Sequence, residues 1–470
     1  MTLSEYVESI KKYRIAVIGI GVSNHPLIKL LLAHGCDVTA CDMRTREQMG
    51  AEAERLEEMG ARLHLGPDYL EGLDHDLIFR TPGLMPFDPH LEAAKARGSR
   101  ITSEMEVFLS LCPCKVIAIT GSDGKTTTST IIAELLKAAG YTVHLGGNIG
   151  NPLLCEIPEI LPDHIAVLEL SSFQLHSMVC HPDVAVVTNL TPNHLDKHKD
   201  FQDYIDAKRC ILEHQTPDAR LVLNRDDAHS EYYASFSAAR KSWFSDRQAV
   251  TDGSMLSDGM LYRVHDGVKR PILRAEEIRL PGEHNVLNYL AAFTAVDGLV
   301  DDGVCAAVAR SFAGVEHRLE TVRVIDGVTF INDSIGTSPT RTIAGLHAMR
   351  TKPIVIAGGY DKHIPFDELG DELNRYAKAL YLTGDTAEKI RDAVVSSRFY
   401  GENSLPVTMV KEFRTAVLQA AEAAEAGDIV LLSPACAAFD RFKNFAERGK
   451  FFKSIVMSLD EKRDHIYEDY

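Results

Sequence analysis

The sequence lacks an excess of basic residues. Its 67 acidic side chains outnumber 50 basic ones, so the formal net charge of the 470 residues is −17. A surface of this sign repels phosphate backbones and anionic lipid headgroups at long range. We therefore exclude a general nucleic-acid binder and a protein that binds anionic membranes, and we expect any phosphate-binding site to be local.

Long apolar runs and paired cysteines are also missing. No run approaches the roughly 18 residues of a membrane-spanning helix, and the first ten residues carry Glu5 and Glu8 where a signal peptide has basic residues and an apolar stretch. The nine cysteines include no Cys-x-x-Cys, and the nearest pair, Cys112 and Cys114, has no second cluster to complete a zinc site. We predict a cytoplasmic protein with reduced thiols and no membrane insertion.

What is present is the pattern of a large α/β protein. Hydrophobic residues make up 45% of the chain and charged residues 25%, which is ordinary for globular proteins. At roughly 150 residues per domain, the length indicates about three domains. We predict an α/β fold with a Rossmann-like domain at 1–113, a central domain with a parallel or mixed sheet at 114–320, and a second Rossmann-like domain at 321–470.

The first predicted domain opens with a strand, a glycine turn, a helix and a second strand. The strand 14–18 precedes Gly19-Ile-Gly21, and the second strand ends at Asp42. This is the order of a Rossmann-like unit, but the dinucleotide fingerprint needs a third glycine at the position of Asn24. The pattern therefore favours the fold and argues against NAD.

The clearest chemical signal is a glycine-rich loop in the central domain, between a strand at 115–120 and a helix. Glycines let backbone amides wrap phosphates, Lys125 neutralises phosphate charge, and the Thr126 hydroxyl is a ligand for Mg²⁺. Ile119 stands where the full Walker pattern has a glycine, so the loop is a shortened version. It predicts ATP or GTP binding by Gly121, Ser122, Asp123, Gly124, Lys125, Thr126 and Thr127.

An acid, two histidines and a lysine follow this loop along the chain. Glu169 stands at the carboxyl end of a predicted strand, where ligands bind in open α/β sheets. His194 and His198 lie in the loop after the next strand, and Lys208 by itself reads as an ordinary helix-face lysine. Beside the phosphate loop, Glu169 and His194 become candidate ligands of Mg²⁺.

Turn signals organise the rest of the chain. Asp-Gly pairs predict β-hairpins at 252–253, 258–259 and 266–267. Strands that each end in a glycine or serine turn predict a further parallel α/β pattern at 353–357, 379–382 and 429–432.

Several short motifs follow one another in a fixed order over the whole chain. They are Gly121-Ser-Asp-Gly-Lys-Thr-Thr, Gly146-Gly-Asn148-Ile-Gly-Asn-Pro, Glu169-Leu-Ser-Ser-Phe-Gln-Leu, Asn193-His-Leu-Asp, Gly282-Glu-His-Asn285-x-x-Asn288, Glu316-His-Arg318, Asn332-Asp-Ser334 and Ser433-Pro-Ala-Cys-Ala. Together they resemble the Mur ligases of peptidoglycan synthesis, most closely the branch that adds glutamate. The resemblance implies ATP-dependent ligation of D-glutamate to UDP-N-acetylmuramoyl-L-alanine through an acyl phosphate, with release of ADP and phosphate.

The resemblance also implies the metal and catalytic groups. Thr126 and Glu169 would hold one Mg²⁺, while Glu169, His194 and a carbamate on Lys208 would surround a second. Lys125, His194 and Lys208 would be the catalytic residues. A lysine reacts with CO₂ only as the neutral amine, so the site would have to lower the pKa of Lys208.

Substrate contacts implied by the resemblance are spread over all three predicted domains. Besides the phosphate loop, ATP would be bound by Asn285, Asn288, Arg318 and Asp333. The UDP-substrate would be bound by Val22, Ser23, Asp42, Arg44, Gly83, Asn148 and His194. The amino-acid substrate would be bound by Thr337, Lys362, Ala438 and Phe445.

The chain departs from the glutamate-adding pattern at several positions. Arg80 precedes Thr-Pro-Gly where a small residue is usual, Ile335-Gly336 replace a common Lys-Ala, and Ala438 replaces a frequent serine. Losing a lysine and a hydroxyl near a dianionic substrate changes affinity by about 1–3 kcal/mol each, unless a neighbour replaces them. The candidate replacements are Arg341, His363 and Arg441.

Two other interpretations stay open. The same ligation with L-glutamate or another acidic amino acid keeps the mechanism and changes the specificity. A P-loop nucleotide-binding switch that controls a partner is the alternative from a different class. Lys208, the Asn148 loop and a third α/β domain argue against the switch, and we expect a monomer that acts on small molecules.

Overall fold

The computed structural model describes residues 1–21, 23–149, 152–193, 197–280, 282–349, 351–361, 365–401 and 405–459. Within these ranges the chain forms three β-sheets with associated helices. The first two sheets belong to one compact unit, 1–312, and the third belongs to another, 313–470. The α/β fold is therefore confirmed, while the boundaries of the three domains remain a prediction.

The first sheet is parallel throughout, with strand order β3-β2-β1-β4-β5. Its strands are β1 (Arg14–Ile18), β2 (Asp37–Asp42), β3 (Arg62–Leu65), β4 (Leu77–Phe79) and β5 (Arg100–Thr102). The helices of this part are α1 (Leu3–Ile10), α2 (Asn24–Ala33), α3 (Arg46–Met49), α4 (Ala51–Glu58), α5 (Pro89–Ala96) and α6 (Glu104–Leu111). Ile15 to Ile18 are fully buried, as expected for a strand covered on both faces. The loops after β1, β2 and β4 leave the sheet at the same edge.

The second sheet, as far as the described residues show it, has nine strands in the order β14-β13-β12-β11-β10-β9-β6-β8-β7. They are β6 (Lys115–Thr120), β7 (Val143–Gly147), β8 (Ile165–Glu169), β9 (Val184–Val187), β10 (Arg220–Asn224), β11 (Arg240–Ser245), β12 (Gly253–Ser257), β13 (Met260–His265) and β14 (Val268–Arg274). The strands from β7 to β12 are parallel, and β6 lies between β8 and β9. After β6 the chain forms β7 and β8 on one side of that strand and then crosses to form β9 on the other side. Open α/β sheets form a ligand crevice at such a reversal of strand order.

Helices of the second sheet are α7 (Lys125–Ala138), α8 (Ser172–Leu175), α9 (Phe201–Arg209), α10 (Ser230–Ala234), α11 (Glu283–Ala295) and α12 (Asp302–Ser311). Short 3₁₀ helices cover Leu154–Glu159 and Ala275–Glu277. The core between α7, α11 and the sheet is built from apolar side chains that are almost fully buried, among them Ile131, Leu135, Leu290 and Phe293.

Two of the three Asp-Gly pairs form the predicted hairpins. Asp258-Gly259 joins β12 to β13 and Asp266-Gly267 joins β13 to β14, and both pairs of strands are antiparallel. The hairpin predicted at Asp252-Gly253 is wrong, because β11 and β12 pair in parallel. Gly253 instead begins β12 with a φ of +129°, where a Cβ would collide with the Trp243 main chain.

The third sheet has the strand order β15-β16-β20-β17-β18-β19. The edge strand β15 pairs antiparallel with β16, and the other pairs of strands are parallel. Its strands are β15 (Glu320–Ile325), β16 (Val328–Asn332), β17 (Ile354–Ala357), β18 (Ala379–Leu382), β19 (Val407–Met409) and β20 (Ile429–Leu432). Its helices are α13 (Pro339–His347), α14 (Asp367–Tyr376), α15 (Ala387–Val395), α16 (Phe413–Glu422) and α17 (Phe445–Met457). In the part of the chain that the structure describes, no helix has the length and apolar character needed to cross a membrane.

Candidate active site

The loop between β6 and α7 lies at the carboxyl edge of the second sheet. Gly124 precedes α7 in a left-handed conformation with a φ of +78°, and no side chain caps that helix. The first amides of a helix have no acceptor within the helix and carry the positive end of its dipole. The loop therefore presents the amides and the positive potential that a phosphate chain requires.

Neighbouring side chains explain why both ends of this loop are glycine. Gly121 has a φ of +146°, and a Cβ there would strike the Thr188 hydroxyl. A Cβ at Gly124 would strike the Asn288 side-chain oxygen. A larger residue at either position would therefore push apart the walls of the loop.

Hydrogen bonds fasten the loop to the segment that follows β9. The Ser122 amide donates to the Asn189 carbonyl at 2.9 Å, and the Asp123 amide donates to Asn189 Oδ1 at 3.0 Å. The Thr188 hydroxyl donates to the Asp123 carbonyl at 2.6 Å, and the Tyr204 hydroxyl donates to Ser122 Oγ at 3.0 Å. The shape of the loop is thus set by the protein itself, which favours binding of phosphate without reorganisation.

Two lysines meet at this loop. Lys125 Nζ donates to the carbonyls of Gly121 and Ser122 at 3.0 and 2.8 Å. Lys208 reaches the loop from α9, is 1% exposed, and its Nζ donates to the Gly121 carbonyl at 2.8 Å and lies 4.7 Å from the centre of the Tyr204 ring. Burial, and then the charge of Lys125, hold the pKa of Lys208 well below its usual value, and nearby carboxylates oppose this only in part. The neutral amine is therefore accessible to Lys208.

Glu169 ends β8 and is 1% exposed. Its Oε1 accepts a hydrogen bond from Asn148 Nδ2 at 2.9 Å, and its carbonyl accepts one from the Asn148 amide at 2.7 Å. Its Oε2 is buried and has no hydrogen-bond partner among the described residues. A buried carboxylate oxygen without a donor suits a hard cation, and Thr126 adds a buried hydroxyl at the start of α7. The residues present therefore fit Mg²⁺.

The two asparagines of α11 lie against the phosphate loop. Asn288 Oδ1 accepts from the Thr128 hydroxyl at 3.2 Å, and Asn288 Nδ2 donates to Asn285 Oδ1 at 3.0 Å. Both asparagines are buried, with 5 and 6% of their surface exposed. Asn285 and Asn288, predicted to bind ATP, are thus brought to the first turns of α7, where Thr127 is half-buried.

A second polar cluster beside the lysines was not assigned from the sequence. His198 is 3% exposed and is hydrogen bonded to Ser172 Oγ on α8 at 2.9 Å and to Asp203 Oδ2 on α9 at 2.8 Å. His176 is bonded to the other oxygen of Asp203 at 3.0 Å. Burial lowers the pKa of His198 although Asp203 opposes the shift. The cluster fixes α8 to α9, the helix that carries Lys208.

At the edge of the first sheet the three predicted loops meet. Asp42 Oδ2 accepts from the Ile20 amide at 2.7 Å and from Arg44 Nη2 at 2.9 Å, and Arg44 Nη2 also donates to the Ile20 carbonyl at 2.7 Å. Burial would raise the pKa of Asp42, but these hydrogen bonds and the Arg44 charge hold it below its usual value. Gly19 lies so close to the Thr81 side chain that a Cβ added at position 19 would be only 2.9 Å from Thr81 Cβ. Beyond Thr81, Gly83 is exposed, and Ser23 precedes α2 without capping it.

The second compact unit has its own buried acid. Asp333 is 5% exposed and accepts hydrogen bonds from Ser433 Oγ at 2.8 Å and from the Leu319 amide at 3.3 Å. Burial raises the pKa of Asp333 to about 6, although Ser433 and the charges of Arg318 and Arg341 oppose the shift. Arg318 and Asp333, predicted to bind ATP, therefore lie within electrostatic reach of each other.

Arg448, on α17, is a residue that sequence reasoning missed. It is 2% exposed, and its guanidinium donates to both oxygens of Ser334 at 3.1 and 3.0 Å and to the carbonyls of Cys436 and Ala437 at 3.0 and 3.2 Å. Burial lowers its pKa to about 10. Nothing in the local sequence marks this arginine, because three of its four acceptors are main-chain carbonyls and Ser334 lies 114 residues away along the chain.

Through Arg448, the structure joins the two segments that carry the predicted amino-acid site. The Thr337 amide donates to the Ile335 carbonyl at 2.8 Å in the turn after β16. Ala438 follows β20 and is 1% exposed, and Phe445 begins α17, where its carbonyl accepts from Ser334 Oγ at 2.7 Å. Three predicted site residues, Val22, His194 and Lys362, lie outside the described residues, and so does the candidate replacement His363.

A largely parallel sheet with a glycine-rich loop at its edge, two lysines bonded to that loop and a buried acid at the end of a neighbouring strand define the class of P-loop nucleotide-binding α/β proteins. Two family models match this chain: the Mur ligase middle domain over residues 119–296 and the Mur ligase glutamate ligase domain over residues 317–436. The chain belongs to the Mur ligase family.

Relatives match over nearly the full length. The chain is 46% identical to the UDP-N-acetylmuramoylalanine–D-glutamate ligase of Acetivibrio thermocellus, over 97% of this chain and 99% of the relative. It is also 46% identical to the enzyme of that name from Clostridium botulinum strain Okra, with the same coverage of 97% and 99%. Among solved structures, the UDP-N-acetylmuramate-alanine ligase of Thermotoga maritima has a TM-score of 0.54 at 18% identity, covering 95% of this chain and 99% of that one. The structural likeness shows the fold.

Proposed function

We propose that the protein is an ATP-dependent ligase that joins the amine of D-glutamate to the carboxylate of UDP-N-acetylmuramoyl-L-alanine in peptidoglycan precursor synthesis. The observation that carries the proposal is the buried pair Lys208 and Glu169 at the phosphate loop, in a chain 46% identical over 97% of its length to D-glutamate ligases. The proposal includes a monomer acting in the cytoplasm, where ATP and UDP-sugars occur.

The reaction needs an activated carboxylate, because a carboxylate is a poor acylating agent. A substrate carboxylate oxygen attacks the γ-phosphorus of ATP, and the bond from that phosphorus to ADP breaks. The glutamate amine then attacks the carbonyl carbon of the acyl phosphate, loses a proton, and expels phosphate. Lys125 and the first amides of α7 stabilise the charge that moves during phosphoryl transfer.

Glu169 and Thr126 would hold Mg²⁺, as the partnerless Glu169 Oε2 supports. When bound, the ion supplies charge neutralisation on the phosphate oxygens. His194 is the proposed further ligand, and it would also contact the UDP-substrate together with Asn148. The hydrogen bond from Asn148 to Glu169 Oε1 supports this role, because it orients the carboxylate and leaves the other oxygen for the metal.

Lys208 is proposed to carry a carbamate. Its neutral amine attacks CO₂, an N–C bond forms, and a proton leaves the nitrogen, so the neutral amine becomes an anionic carbamate beside the proposed metal site. The lowered pKa of Lys208, caused first by burial and then by Lys125, supports this step. Protein incubated with isotopically labelled bicarbonate should show a carbamate carbon signal by NMR, and the signal should vanish in Lys208→Met.

The remaining proposed contacts are those of the nucleotide ends of ATP and of the UDP-substrate. Asn285, Asn288, Arg318 and Asp333 would bind the adenine and ribose side of ATP. Ser23, Asp42, Arg44 and Gly83, with Val22, would bind the UDP moiety. Arg44 supports this assignment because it is half-exposed while its guanidinium is held in place by Asp42, so one face is available to a diphosphate.

The amino-acid site would comprise Thr337, Lys362, Ala438 and Phe445. Of the candidate replacements for the missing lysine, Arg341 is supported best, because its Nη1 donates to the Ile335 carbonyl at 3.3 Å and its charge reaches Asp333. Arg441 faces the carboxylates of Glu412 and Asp440 at 3.6 and 3.9 Å, which offset its charge.

Phosphate release with ATP, Mg²⁺ and UDP-N-acetylmuramoyl-L-alanine tests the proposal in three arms: D-glutamate, L-glutamate and no amino acid. Release that depends on D-glutamate, with a new amide found by mass spectrometry, is the expected result. Release that depends on L-glutamate would overturn the specificity and keep the mechanism. Equal release in all three arms, and the same release when UDP-N-acetylmuramoyl-L-alanine is left out, would favour the nucleotide switch.

A further inference from the structure

Arg80, directly after β4, is a buried arginine with an unusual set of partners. It is 2% exposed, its Nη1 donates to the Leu84 carbonyl at 3.1 Å, and its Nη2 donates to the Phe173 carbonyl at 2.9 Å and the Ser177 hydroxyl at 3.1 Å. One guanidinium thus holds a loop of the first sheet and the end of α8 in the second.

No ion pair among the described residues includes Arg80, so neutral oxygens solvate its charge. A buried cation without a bonded carboxylate is costly to desolvate, and burial lowers the pKa of Arg80 to about 10, although the charge of Glu106 opposes the shift. An apolar side chain of the same size would fill this space at lower cost. The arginine is therefore better explained by the geometry that it imposes than by stability.

The two segments that Arg80 joins lead to two places that the proposed function assigns to one substrate. On one side, residues 81–84 contain Gly83, the proposed contact of the UDP moiety. On the other side, Ser172 on α8 is bonded to His198, and His198 is bonded to Asp203 on α9. The same helix, α9, carries Lys208.

We infer that Arg80 is a positioning residue for a substrate that carries a nucleoside diphosphate at one end and a carboxylate at the other. By tying residues 81–84 to α8, it sets the distance between the diphosphate site on the first sheet and the phosphoryl-transfer site on the second. This inference rests on the proposed function, because it assigns the two ends of the proposed UDP-substrate to these two places.

Arg80→Met removes the hydrogen bonds and keeps most of the side-chain volume. The KM for UDP-N-acetylmuramoyl-L-alanine should rise about tenfold or more, a loss of about 1.4 kcal/mol. The KM for ATP should change by less than about twofold, because the phosphate loop has its own fastenings to the segment after β9. Arg80→Lys keeps the charge and part of the bonding, and it should give a smaller rise.

Arg263→Met is the matched control. Arg263 lies in the same compact unit, is also 2% exposed, and its guanidinium is bonded to Asp302 at 2.6 Å and the Phe293 carbonyl at 2.7 Å, away from α8. Its removal leaves a carboxylate without its partner, so the melting temperature should fall while the KM for the UDP-substrate stays unchanged. A general loss of stability is thereby separated from a loss of positioning.

An unchanged KM for the UDP-substrate in Arg80→Met would overturn the inference. Equal rises in both KM values that track the melting temperature, as in a purely structural role, would also overturn it. If Arg80→Met does not fold, Arg80→Lys decides by the same criteria. Binding of UDP-N-acetylmuramoyl-L-alanine to each variant can be measured by calorimetry without turnover. An inactive wild type would count against the proposed function, and the binding affinities of the variants would then test the role of Arg80 by themselves.

Discussion

Replacing Lys208 by methionine should abolish activity with little effect on stability. Lys208 Nζ donates to the Gly121 carbonyl, but that carbonyl also accepts from Lys125 Nζ at 3.0 Å, so the substitution leaves it with a partner. The substitution also removes a buried amine whose charged form is disfavoured by burial, since burial lowers the pKa of Lys208. Methionine fills a similar volume in contact with the Tyr204 ring.

The expected magnitudes follow from these contacts. Losing one hydrogen bond lowers stability, while removing a buried amine raises it, and the two effects nearly cancel. The free energy of unfolding should therefore change by about 1 kcal/mol or less. Loss of the carbamate proposed beside the metal site should lower kcat by about 10²–10³-fold, as for removal of a single transition-state-stabilising group. An activity loss without a stability loss is therefore the signature of Lys208.

The assay is ligase turnover beside a thermal melt of the same preparation. Lys137→Met is the control, because Lys137 lies on α7 with half of its side chain exposed, paired to Glu134 at 2.9 Å. The control should match the wild type in both measurements. Wild-type kcat in Lys208→Met would refute the proposed role, and a collapse of the melting temperature would show that Lys208 acts in folding instead.

Three further predictions address the metal, the phosphate loop and the buried acid. Glu169→Gln keeps an acceptor for Asn148 but removes the charge, so the Mg²⁺ concentration for half-maximal activity should rise about 10–100-fold with an unchanged far-UV CD spectrum. Gly124→Ala forces a Cβ into a left-handed position against Asn288, so ATP titration should show weaker binding and the melt a loss of at least about 1 kcal/mol. Asp333 binds a proton in the folded state up to about pH 6, so wild type should lose up to about 3 kcal/mol of stability relative to Asp333→Asn as pH rises from about 4 to above 6. Equal melting temperatures of these two proteins across that range would contradict the raised pKa.

Features that depend on local pattern were predictable. The strand β6 and the glycine-rich loop follow from an apolar run, two glycines and a lysine, and Glu169 follows from its place at a strand end. The pairing of Asn148 with Glu169 also becomes natural once β7 and β8 are neighbours in a parallel sheet. Parallel strands bring their carboxyl ends together, so spacing along the chain becomes proximity in space.

Features that depend on long-range burial of charge were not predictable from pattern. Arg80 stands out in the sequence only as a departure from the family pattern, and Arg448 does not stand out at all. Both are 2% exposed, and each donates to a main-chain carbonyl of a remote segment. Main-chain acceptors leave no trace in residue type, so only the fold reveals them. Lys208 is similar, since its pattern is that of a helix-face lysine and only its resemblance to the family singled it out.

At Gly253 the sequence pattern was interpreted wrongly, because the glycine is required for a reason other than a hairpin turn. Asp-Gly predicts a tight hairpin, but this glycine is required because the Trp243 main chain passes too close for a Cβ. A close approach of two parallel strands and a hairpin turn both select glycine. The sequence pattern by itself does not separate them.

The central claim, that the protein activates a carboxylate before it forms an amide, has a direct test. UDP-N-acetylmuramoyl-L-alanine labelled with heavy oxygen in its alanyl carboxylate is turned over with ATP, Mg²⁺ and D-glutamate, and the released phosphate is examined by mass spectrometry. The account predicts that the phosphate carries one labelled oxygen and that the amide product retains the other. Unlabelled phosphate would mean that water, and not the substrate carboxylate, receives the γ-phosphoryl group, which would contradict the account.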